Sequence, residues 1–198
     1  IMREIRIFLA SSEELKSDRE CFEIEIYRKC KMWFSKGIFF HLDIWEDLSA
    51  KVSPLGSSQS DYNEVIKQAD ILVLLAHTKV GIYTEQEFEV AFGQFQTKKK
   101  PFIYTYFKNG VKESSEKSTS LLAFQNKLAK LGHFYSRYND FSDLWNQFNK
   151  ELDRLNENEF TEMIVEFQNR GSDANDLKIK QVHSGVGDNI GRDKIIGK

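Results

Sequence analysis

Three glutamates crowd one short stretch, Thr84-Glu85-Gln86-Glu87-Phe88-Glu89-Val90-Ala91, and they are the residues of this sequence best suited to chemistry. A carboxylate at the mouth of a cleft can stabilise a developing positive charge or attack as a nucleophile. The same spacing also fits a plain structural role. Thr84 and Glu87 stand three apart, as in a capping box, where the glutamate satisfies a backbone amide at the start of a helix. Ser11 and Ser12 carry a similar ambiguity, because they can end a strand and cap the next helix or offer hydroxyls to a ligand. Trp45 is either a core residue at a strand end or a platform for a ring. Neither a P-loop nor a glycine-rich dinucleotide fingerprint is present, so phosphates would have to rest on backbone amides at a helix start. His77 and His133 stand apart from any Cys or Asp cluster, and Cys21 and Cys30 lie nine apart in one helical stretch. Those spacings suit neither a metal site nor a redox pair, so no metal is expected.

The elements that position these residues follow from hydrophobic periodicity. Ile5-Arg6-Ile7-Phe8-Leu9-Ala10 predicts a strand, after which Leu15, Phe22, Ile26, Cys30 and Phe34 recur at helical spacing until Gly37. A second strand is expected over 38–45, then a long polar loop over 46–61 and a short helix over 62–68. Residues 70–76, unbroken in apolar character after Asp70, suit a central parallel strand buried on both faces. Beyond the loop 77–83, the pattern predicts a helix from Thr84 to about residue 96, with Phe88, Phe92 and Phe95 painting its core face. Lys98-Lys99-Lys100 reads as a solvated helix end favoured by the macrodipole. A strand over 101–107, a helix near 121–131, a strand over 133–138 and a helix over 140–154 complete the alternation.

Strands alternating with helices across short loops imply a doubly wound, flavodoxin-like sheet of five parallel strands with right-handed crossovers. Ligands of such sheets sit beyond the carboxyl ends of the strands, which gathers Ser11, Trp45, Glu46 and the loop 77–83 around one crevice. With 198 residues, 40% of them hydrophobic, the chain can bury one good core and carry an appendage. Its 28 basic and 30 acidic residues nearly balance, giving no bulk electrostatic reason to expect nucleic acid or an anionic membrane as partner. No apolar run approaches the ~20 residues of a membrane span and no signal-peptide order opens the chain, so a cytoplasmic location is expected.

Taken together, Ile7-Phe8-Leu9-Ala10-Ser11-Ser12, Trp45-Glu46-Asp47, the buried strand 70–76 and Tyr83-Thr84-Glu85-Gln86-Glu87-Phe88-Glu89-Val90-Ala91 resemble bacterial TIR domains. The likeness covers residues 3–154. It implies a TIR-like domain in which a glutamate early in the third helix, with an alanine four residues on, releases nicotinamide from NAD+. The product is ADP-ribose or a cyclised form of it. Glu87 and Ala91 match that spacing, with Glu85 and Glu89 as register alternatives. The resemblance also implies substrate-binding positions at Ala10, Ser11, Ser12, Trp45, Asp47, Lys79 and Tyr83. NAD+ would be the substrate, with no resident cofactor.

Past residue 155 the composition changes. Residues 155–176 read as a helical and polar linker. In the following segment, 177–198, Gly185, Gly187, Gly191 and Gly197 alternate with Ile179, Val182, Val186, Ile190, Ile195 and Ile196, a β-prone pattern open to cross-β stacking. Gln181-Val182-His183-Ser184-Gly185 and the run 187–195 resemble amyloid-type signalling motifs of bacterial immune effectors. That resemblance implies self-assembly into an oligomer or filament, seeded by an NLR-like regulator. Two other functions stay open: a TIR scaffold without chemistry, and a nucleoside deoxyribosyltransferase-like enzyme working through a covalent glutamyl intermediate.

Overall fold

The structure, a computed structural model, describes residues 2–44, 58–110 and 119–155. The segments 155–176 and 177–198 of the sequence reading therefore lie outside the described residues, apart from Leu155. Five parallel strands, β1 (Arg3–Ser11), β2 (Ile38–Ile44), β3 (Ile71–Ala76), β4 (Phe102–Lys108) and β5 (Ser136–Tyr138), form one sheet in the order β2-β1-β3-β4-β5. Their helical partners are α1 (Lys16–Trp33), α2 (Ser58–Gln68), α3 (Ile82–Lys98), α4 (Thr119–Lys130) and α5 (Phe141–Arg154). This is the doubly wound, flavodoxin-like arrangement that the alternation of periods predicts.

Strand alternation divides the core in two. Ile5, Ile7 and Leu9 of β1 with Ile71, Val73 and Leu75 of β3 face Phe22 and Ile26 of α1 and Leu144, Phe148 and Leu152 of α5. Phe8, Ala10, Leu72, Leu74 and Ala76 point the other way, onto Ile66 of α2, Phe88 and Ala91 of α3, and Phe124 and Leu128 of α4. Every residue of β3 is buried, because the strand lies between β1 and β4 and has helices over both faces.

Some boundaries depart from the periodic reading, two of them for a visible local reason. α3 begins at Ile82, two residues before Thr84, with the extended Gly81 as its N-cap and the first helical bond running from the Glu85 amide to the Gly81 carbonyl at 3.0 Å. β5 is limited to Ser136–Tyr138 because the preceding residues finish α4. Gly132 turns left-handed at φ 66°, and the His133 amide reaches back to the Leu128 carbonyl at 3.0 Å, the bonding of a Schellman end. α2 starts at Ser58, inside what reads as polar loop. Among the three lysines that follow α3, Lys99 is its left-handed C-cap, whereas Lys100 is no solvated end: its ammonium pairs with Asp70 at 2.5 Å.

Candidate functional site

The strand ends of β1 and β3 lie side by side, Ser11 pairing in register with Leu75. The two-residue period of β1 sends Ala10 to the α3 face and Ser11 to the α1 face. There the Ser11 hydroxyl accepts a hydrogen bond from Arg19 Nη1 at 2.7 Å, and the same nitrogen donates to the Ser12 carbonyl at 2.8 Å. Arg19 is 1% exposed, so this contact fixes the turn after β1 from within the protein. Ser12, also buried, donates its hydroxyl to Glu14 at 3.1 Å.

Beside it, the buried Asp18 carboxylate receives the Lys108 ammonium at 3.0 Å and the Tyr138 hydroxyl at 2.7 Å, tying α1 to the ends of β4 and β5. Burial first, and then the bond to Asp18 and its charge, push the Tyr138 phenol above its ordinary range. Glu14, Asp18, Arg19, Lys108 and Tyr138 were not singled out by sequence reasoning. A signal existed: Asp18 and Arg19 fall between Leu15 and Phe22 on the stripe of α1 that should be apolar.

On the opposite face of the sheet, α3 carries the three glutamates. Glu85 and Glu89 are one turn apart on a partly open side, where both meet Lys127 of α4; the Glu85 oxygen lies 2.9 Å from the ammonium. Glu87 points inward. It is 7% exposed, its carboxyl draws no hydrogen bond or ion pair from the described residues, and burial alone pushes its pKa up to about 8. Because α3 starts at Ile82, Glu87 sits in the second turn and Thr84 is already inside the helix, so the capping-box geometry does not arise. Ala91, one turn further on, is fully buried against the sheet.

The structure therefore places Ala10 and Glu87 on the same side of the sheet and the Ser11 hydroxyl on the other. Lys79 is exposed in the loop after β3, and Tyr83 is 68% exposed at the start of α3. Trp45, Glu46 and Asp47 lie outside the described residues. His133 is a packing residue, bonded to Thr105 at 3.0 Å and edge-on to the Phe88 ring. Among the described residues no group of His, Cys, Asp and Glu is arranged to hold a metal ion, both cysteines are free, and no helix is long and apolar enough to cross a membrane.

No family model matches the chain, and no curated protein does. Among solved structures it is similar to the crystal structure of the RPS4 and RRS1 TIR domain heterodimer, at 11% identity over 77% of this chain and 97% of that one, with a TM-score of 0.49. That likeness concerns the course of the backbone and says nothing about chemistry.

Proposed function

We propose that the domain is a TIR-type NAD+ nucleosidase in which Glu87 is the catalytic carboxylate. The observation that carries this reading is the state of Glu87: buried, without a hydrogen-bond or ion-pair partner among the described residues, and held largely neutral near pH 7, while its neighbours Glu85 and Glu89 are engaged by Lys127. A carboxyl kept in so unfavourable a place without a structural bond is a marker of function.

In the proposed reaction the bond between C1 of the ribose and the nicotinamide nitrogen breaks, its electron pair leaving with the ring. Nicotinamide departs neutral and needs no acid. The sugar is left as an oxocarbenium-like centre, which an ionised Glu87 stabilises more than it stabilises the intact substrate. Water then adds at C1 and loses a proton to give ADP-ribose, or a nucleophile within the same molecule closes a cyclic product. NAD+ itself carries positive charge on the nicotinamide ring, and its arrival beside Glu87 favours the ionised carboxylate over the neutral one. Trp45 or Tyr83 would stack on a base, and Ala10, Ser12, Asp47 and Lys79 would line the remainder of the substrate site. Residues 177–198 would cluster the domains and complete their sites, under the control of an NLR-like receptor in the cytoplasm.

The test follows nicotinamide release from NAD+ by the full chain, by Glu87→Ala and by a chain lacking residues 177–198, each at high and low protein concentration. Release that climbs steeply with concentration, disappears in Glu87→Ala and falls without the tail supports the proposal. No release from concentrated, demonstrably assembled protein leaves the scaffold reading. A trapped glycosyl-enzyme with transfer between free bases would favour the deoxyribosyltransferase reading instead.

A further inference from the structure

With the strands ordered β2-β1-β3-β4-β5, the loops after β1 and β3 part from each other, and this switch point is where doubly wound sheets open a crevice. Here the opening is bridged by Glu14. From the loop after β1 its carboxylate accepts the Thr78 amide at 3.0 Å, the Thr78 hydroxyl at 2.5 Å and the Lys79 amide at 3.4 Å, all from the loop after β3. The Ser12 hydroxyl adds a fourth bond at 3.1 Å.

Consecutive main-chain amides joined by hydroxyls form the kind of concavity that holds phosphate oxygens. A carboxylate occupies it as a smaller anion of the same class. The Glu14 side chain is exposed, so swinging it away uncovers little apolar surface. Burial pushes its carboxyl pKa up, but the bonds from Thr78, Ser12 and Lys79 outweigh that effect and hold it below the ordinary carboxylate value, so Glu14 is charged at neutral pH. The Lys79 side chain, exposed on the same loop, has no ion pair among the described residues.

We infer that Ser12, Thr78 and Lys79 form an anion subsite for a phosphate or diphosphate group, and that Glu14 is a built-in competitor which holds this subsite until such a group displaces it. A diphosphate brings more charge and more acceptor oxygens to the same donors, and it adds the Lys79 ammonium as a counter-charge. The inference rests on the proposed function only where the diphosphate is taken to be that of NAD+.

The test is calorimetric titration of the full chain with inorganic pyrophosphate, and separately with ADP-ribose, in low salt at neutral pH. Glu14→Ala is expected to bind pyrophosphate about tenfold tighter than the unaltered chain, and Glu14→Gln to show a smaller gain because it keeps one acceptor oxygen without the charge. Glu13→Gln removes an equal charge from the same loop and is expected to gain nothing. Lys79→Gln placed in the Glu14→Ala background should cancel most of the gain. Should Glu14→Ala fail to fold, as judged by thermal unfolding, the comparison of Glu14→Gln with Glu13→Gln decides the matter alone. Equal gains in those two variants, or no gain in any folded Glu14 variant, overturn the inference. A gain for pyrophosphate with none for ADP-ribose keeps the anion subsite and detaches it from the proposed reaction. Because binding is read without turnover, an inactive protein does not obscure the result.

Discussion

Replacing Glu87 with glutamine should make the protein more stable at high pH while removing its proposed chemistry. Glu87 binds its proton more tightly in the folded chain, at a pKa of about 8, than in the unfolded chain, at 4.5. The folded state is therefore favoured most below about pH 4.5. That advantage erodes as the pH rises and is lost once the pH passes about 8. At about 1.4 kcal/mol per pH unit, the difference amounts to about 5 kcal/mol at full ionisation and about 3 kcal/mol at pH 7. These are upper values, since water reaching the carboxylate would hydrate it. Glutamine has the same shape and no titration, but its buried amide finds no partner among the described residues and costs about 1–3 kcal/mol at every pH. The two effects give a crossing: Glu87→Gln should equal or trail the unaltered protein at pH 5 and exceed it by about 2–4 kcal/mol at pH 9. Urea unfolding followed by tryptophan fluorescence at pH 5, 7 and 9 reads both proteins, and their difference cancels every other titrating group. Curves that stay parallel across the range would show that Glu87 is hydrated or paired, and would remove the reasoning built on its burial.

The same geometry fixes other outcomes. Glu85→Gln and Glu89→Gln each lose one arm of a partly exposed ion pair with Lys127, so each should cost less than about 1 kcal/mol and leave nicotinamide release within about twofold. Tyr138→Phe strips one hydrogen bond from the buried Asp18 and should cost about 1–2 kcal/mol in urea unfolding, with Lys108 still on the carboxylate. For an enzyme that needs Glu87 ionised before substrate binds, kcat/KM should rise with pH along a single titration centred near 8, and level off above it.

Much of the fold could be read in the sequence because its signals are local. The apolar run 71–76 has no polar face, so it had to be a strand covered on both sides, and Leu144, Phe148 and Leu152 repeat at the helix period. Boundaries set by single backbone bonds were harder. Ile82 and Tyr83 look like loop residues by their neighbours, yet the Gly81 carbonyl starts the helix before them and so removes Glu87 from the cap position. The direction of Ser11 was recoverable from strand parity, since it shares a face with Ile7 and Leu9. Its bond to Arg19 was not, because a charged residue on the buried stripe of α1 announces burial without naming its partner. The grip of Glu14 on Thr78 and Lys79 spans more than sixty residues of chain, a separation at which spacing carries no information.

The central claim is that a buried Glu87, without a partner among the described residues, breaks the nicotinamide–ribose bond. It is met most directly by nicotinamide release from NAD+ at pH 8, comparing the full chain at assembling concentration with Glu87→Gln shown by unfolding to be at least as stable. Release by the unaltered chain is expected, with a loss of at least about a hundredfold in the better-folded variant. Equal release by the two proteins, or none by either while both assemble, would contradict it.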